Sequence, residues 1–126
     1  MKIYRIAEEL NIVPSYIVAG FVEDLHHTYD DLTEGDILER VHKYEYYKLV
    51  DFPINDLELD EWDIDEDRVA DFVEKIKLNP DYPPIVIDTE YGVPSIIDGI
   101  HRANAVNLLR HSTVKAYVPE LNYEDL

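Results

Sequence analysis

The sequence predicts a single α+β domain in which a small mixed β-sheet packs against helices, with a helical extension at the N-terminus. Three observations carry this prediction. The chain has 126 residues, of which 46% are hydrophobic, enough for one domain with one sizeable core. Apolar residues at helical spacing alternate along it with short β-branched runs. Turn signals at Pro14, Pro53, Asn79-Pro80 and Gly92 punctuate those segments.

Ile3, Ile6, Ala7 and Leu10 have helical spacing, Pro14 marks a break, and Tyr16 to Leu25 follows as a second helix. Ala7, Asn11 and Ile17 give this junction the spacing of a helix-turn-helix. The following helix, however, presents Glu23 and Asp24 where a reader of base edges needs Arg, Lys, Asn or Gln. A plain packing helix is expected. A third helix runs from Glu34 or Gly35 toward Tyr47, with Ile37, Leu38, Val41 and Tyr44 as its apolar stripe and Thr33 as a candidate N-cap. Tyr44, Tyr46 and Tyr47 are expected at the edge of a core rather than as a ligand platform. Residues 1–48 thus form the helical extension, and 49–126 the sheet domain.

Residues 48–57 read as strand plus turn, and Pro53 suits an edge strand. From Asp65 a helix returns, with Val69, Phe72, Val73 and Ile76 on one face and Asn79-Pro80 closing it. Ile85-Val86-Ile87 and Ile96-Ile97 form a hairpin around Gly92. After Asp98-Gly99 comes a helix with Ala103, Val106, Leu108 and Leu109 as its apolar positions, then a strand from Val114 to Val118. Strands are therefore expected near 49–54, 85–88, 95–98 and 114–118.

Charge and composition narrow the function. Formal net charge is -17, from 28 acidic and 11 basic residues, and the segment 51–75 alone holds 11 acids and 2 bases. Such a charge repels a polyanion, whereas duplex binding needs a basic face that releases counterions. No sequence-specific DNA partner is expected. The acidic run is either a solubilising face or a surface that meets a basic partner. There is no cysteine, which excludes disulfides, thiolate metal sites and sulfur nucleophiles. The longest apolar stretch, Tyr16 to Val22, is far short of a membrane span. With no basic n-region and apolar h-region at the start, a cytoplasmic location is expected.

The loop Asp98-Gly99-Ile100-His101-Arg102 carries the chemistry. Gly99 permits close approach of backbone amides, and the amides at the start of the next helix direct its positive pole at an anion. Arg102 supplies a forked donor suited to phosphate, and His101 one or two further donors. Asp98 fits either a divalent cation or a proton-accepting role. The competing reading has Asp98 capping the helix, Arg102 pairing with nearby acids and His101 on the surface. Arg68 and Lys75, the two bases in the acidic segment, lie seven residues apart on one helical face. They form either part of a phosphate pocket or a salt-bridge ladder with Asp71.

Phe52-Pro53-Ile54-Asn55-Asp56-Leu57, the helix from Asp67 to Lys77, Pro84-Ile85-Val86-Ile87 and Asp98-Gly99-Ile100-His101-Arg102-Ala103 follow in the order of the ParB/sulfiredoxin superfamily, which residues 51–119 resemble. The resemblance implies a site in which the loop Gly99, Ile100, His101 and Arg102 holds nucleotide phosphates, with ATP, ADP or CTP as the nucleotide. Sulfiredoxins also resemble the chain at Asn79-Pro80-Asp81-Tyr82-Pro83-Pro84-Ile85, and use the helix that carries Arg68 for phosphate contacts. Their catalytic cysteine falls at Ile100, so sulfinic acid reduction is excluded. ParB proteins have an Arg-rich loop and further domains; the chain runs only to Leu126, and clamp-type partitioning is not expected. The loop is most similar to that of the free serine kinases. That likeness gives Asp98 a catalytic or metal role and makes Glu66 or Glu61 the candidate base. The small stand-alone forms that this chain resembles often occur on bacteriophages and other mobile elements, so the resemblance implies a phage or mobile-element origin.

Two functional classes fit these residues. One is a Mg2+-dependent phosphotransferase or nucleoside triphosphatase in which Arg102, His101 and Arg68 stabilise the transferring group, with Lys75 near the phosphates, Asp98 on the metal and Glu66 as base. The other is an acidic, non-enzymatic protein that binds a basic protein surface.

Overall fold

A computed structural model describes residues 12–28, 35–59, 64–89 and 94–120. Among these residues the elements are β1 (Ile12–Pro14), α1 (Ser15–Thr28), α2 (Gly35–His42), β2 (Tyr46–Pro53), a 3-10 turn (Ile54–Asp56), α3 (Glu66–Leu78), β3 (Ile85–Asp88), β4 (Ser95–Asp98), α4 (Ile100–Leu108) and β5 (Thr113–Pro119). The strands form one mixed sheet in the order β1-β2-β5-β3-β4. Only the β3–β5 pair is parallel; β1–β2, β2–β5 and β3–β4 are antiparallel. The class is α+β, as the sequence predicts.

Alternation along the strands sends side chains to two faces. Ile85 and Ile87 join Val114 and Ala116 under α3 and α4, with Val69, Phe72, Ile76, Ala103 and Val106 completing that core. Val86 points the other way, to Val18, Val22, Val41, Tyr47 and Ile97 beneath α1 and α2. The sheet therefore lies between two helical layers, and β3 is buried along its whole length. A continuous apolar run is what a strand covered on both faces requires.

α3 matches its sequence signals closely. Asp65 is the N-cap, its carboxylate accepting from the amides of Asp67 at 3.0 Å and Arg68 at 3.4 Å. Glu66 and Asp67 in the first turn, and Lys75 and Lys77 in the last, complement the helix dipole. Val69, Phe72 and Ile76 are buried. Asn79 leaves the helix in an extended conformation, its amide still bonded to the Lys75 carbonyl at 2.9 Å.

Four expectations need correction. Ile12–Pro14, read as the turn between two helices, is a strand paired with Tyr46–Lys48, so it cannot serve as the turn of a helix-turn-helix; residues 3–10 and Thr33 lie outside the described residues. The third helix stops at His42, and Tyr46 and Tyr47 belong to β2, because Tyr47 fits wholly into the core with its hydroxyl donating to the Val41 carbonyl at 2.7 Å. β2 is an interior strand. Its neighbour β1 covers only Tyr46–Lys48, so Pro53 stands where one side is unpaired and its missing N–H costs no ladder bond. Leu108, placed on the apolar stripe of α4, is 66% exposed; Leu109 packs against the core instead.

Candidate functional site

β3 and β4 are joined with a register shift between Val86 and Ile87, so that Val86 opposes Asp98 while Ile87 opposes Ile96. The bulge lies just before the loop. Gly99 follows as the N-cap of α4 with φ 102 and ψ 25, a left-handed conformation that glycine adopts without penalty. The space enforces the same choice: a Cβ at Gly99 would fall 2.6 Å from Ile85 Cγ2 and 2.8 Å from Arg102 Nη2. The helix begins at once, with the Ala103 amide bonded to the Gly99 carbonyl at 2.9 Å. First-turn amides have no acceptor within their own helix, and the N-cap, a glycine, brings no side chain to cap them.

Under the loop lies a buried ion pair. Arg102 and Asp98 expose 5% and 7% of their side chains, with Nη2 to Oδ2 at 3.2 Å. The same Nη2 donates to the Pro84 carbonyl at 3.1 Å. Arg102 Nε is fully buried and has no hydrogen-bond partner among the described residues. The sequence offered Arg102 as an open fork and Asp98 as a metal ligand. The fold joins the two to each other, and among the described residues no three His, Asp or Glu side chains gather as a metal-holding group.

His101 is half-buried, and its Nε2 accepts the Asp65 amide at 3.1 Å. That acceptor role puts the ring proton on Nδ1. The bond also ties the first turn of α4 to the N-cap of α3, so Glu66 and Arg68 belong to the turn that faces the loop. Glu66 is exposed and Arg68 half-buried. Ile100, the first residue of α4, is half-buried. Lys75 stands apart. It follows Glu66 by nine residues, about 13 Å of helix, and pairs with Asp71 at 2.8 Å while lying over the Phe72 ring. The ladder alternative holds for it. Glu61 lies outside the described residues.

Sequence reading missed Asp65 and Pro84 as parts of this constellation. Asp65 opens the helix in the sequence pattern, but its role as the N-cap that the following Glu66-Asp67 signals went unread, and nothing local links it to His101, 36 residues away. A second buried acid was also missed, at the end of β3: Asp88 accepts from Tyr44 Oη at 2.5 Å and pairs with Lys43 at 3.5 Å. Burial, then this hydrogen bond, pushes the Tyr44 phenol up to about 12.

A β4–Gly–α4 loop set against the start of a second helix, on a small mixed sheet, defines an α+β domain of the sulfiredoxin-like fold. The crystal structure of sulfiredoxin from Arabidopsis thaliana is similar over 57% of this chain and 84% of that one, with a TM-score of 0.50 and 19% sequence identity. The likeness is one of fold. No family model matches the sequence, and no curated protein is significantly similar to it. No helix among the described residues is long and apolar enough to cross a membrane.

Proposed function

We propose that the chain binds the phosphate end of a nucleotide, a di- or triphosphate carried with Mg2+, at the Gly99–Arg102 turn. The observation that supports this is the α4 N-terminus, whose N-cap Gly99 has no side chain of its own to occupy the first-turn amides and which His101 ties to the N-cap of α3. An anion seated there accepts from first-turn amides and meets the helix dipole, with His101 and Arg68 at the rim. Mg2+ is held chiefly by phosphate oxygens and water and needs one or two carboxylates from a protein. Glu66 is the acid this reading assigns, as ligand or as base. In turnover, the terminal P–O bond of the nucleotide breaks as a new one forms to water or an acceptor hydroxyl, whose proton passes to Glu66. A thermal-shift comparison of ATP, ADP and CTP with and without Mg2+ tests the binding. Saturating ligand raises the melting temperature by mass action, and no shift with any of them at millimolar concentration contradicts the reading.

One observation favours a second reading. Glu66, Asp67, Asp71 and Glu74 are all exposed on α3, and Lys75 and Lys77 are paired within the helix, to Asp71 and Glu74. A basic protein docking on that face associates faster at low salt, independently of nucleotide.

A further inference from the structure

We infer that Asp98 and Arg102 are a positioning pair that presets the phosphate loop from below, and that neither contacts the bound anion. The inference rests on the phosphate-binding reading above. Arg102 joins three places in the chain: α4, where it stands, the end of β4 through Asp98, and the entry to β3 through the Pro84 carbonyl. Both hydrogen bonds leave from Nη2, the atom that also forms the floor under Gly99 together with Ile85. Holding Nη2 therefore holds Gly99 in its left-handed turn, and with it the direction of the amides that follow. Burial makes the pair interdependent. Removing one member leaves an uncompensated charge, all the more because Arg102 Nε already lacks a partner among the described residues.

Removal of the acid gives opposite signs for the two possible roles. If Arg102 were a phosphate ligand, Asp98→Asn would free the guanidinium, remove a nearby negative charge and tighten anion binding. As a positioning pair, the same change weakens binding by about tenfold, one charge-assisted contact converted to affinity, although the protein has become less negative. Arg102→Lys separates the roles again. It keeps the charge, but its stem is one bond shorter and lacks the planar guanidinium, so its ammonium does not reach the place of Nη2 between Asp98, the Pro84 carbonyl and Gly99, and it weakens binding to a similar degree.

The experiment titrates wild type, Asp98→Asn and Arg102→Lys with Mg2+–ATP by calorimetry, and measures amide hydrogen exchange at Gly99–Ala103 without ligand. Weaker binding in both variants, with faster exchange at the loop and unchanged protection in β5, is the expected result. Tighter or unchanged binding in Asp98→Asn, or binding retained in Arg102→Lys, overturns the inference. If the wild type binds no ATP, the phosphate reading falls, and the exchange arm still judges the pair: unaltered loop exchange in both variants overturns it.

Discussion

Gly99 is the residue on which the loop turns. Its Cα stands against Ile85 and Arg102 at φ 102, so Gly99→Ala combines left-handed strain with overpacking of a buried contact. Together these cost about 2 to 4 kcal/mol, to be read as a lower denaturation midpoint in urea at unchanged slope. Asp98-Gly99 was legible as a turn because glycine after a strand and before a helix has few other uses. The pairing of Asp98 with Arg102 was legible only as an alternative, since four residues along a chain do not reveal whether two charges face each other or a ligand. Tyr44 carries a second residue-level prediction. Burial and the bond to Asp88 raise its phenol from 10.0 to about 12, so the folded state retains a proton that the unfolded chain releases near pH 10. Its stabilisation is complete below pH 10 and is lost as pH rises toward 12. Denaturation midpoints across that range should fall less steeply in Tyr44→Phe than in the wild type.

α3 and α4 show why elements differ in legibility. α3 carries its own N-cap, apolar stripe and stop, so its boundaries followed from local chemistry. β1 has no such signal. Three residues ending in proline become a strand only because Tyr46–Lys48 offers an edge to pair with, a tertiary cause absent from any local window. α4 ends in a motif that the sequence hides as well. The His111 amide bonds to the Val106 carbonyl at 3.3 Å and the Arg110 amide to that of Asn107 at 2.9 Å, with Arg110 at φ 62. This is a Schellman stop in which arginine occupies the left-handed position that glycine favours. Arg110→Gly should therefore stabilise the protein by roughly 0.5 to 1 kcal/mol, measurable by chemical denaturation, even though it raises the conformational entropy of the unfolded chain.

At the scale of the molecule, the net charge of -17 governs what approaches. Polarisation titrations with duplex DNA at physiological salt should show no sub-micromolar, sequence-selective binding, since phosphates are repelled and α1 exposes Glu23 and Asp24. The same field opposes a bare polyphosphate, so an anion site on this surface depends on a preset loop and on Mg2+ to lower the ligand's charge. Arg68 is the cation at the start of α3, in the turn that His101 ties to the loop, and it serves as the direct probe of that site. Calorimetric titration of Mg2+–ATP into wild type and Arg68→Ala is the most direct measurement of the central claim. Wild-type binding that weakens about tenfold in Arg68→Ala, the worth of one charged hydrogen bond, with no change in melting temperature of the free protein, is the predicted result; wild-type binding that Arg68→Ala leaves untouched, or no wild-type binding at millimolar nucleotide, contradicts it.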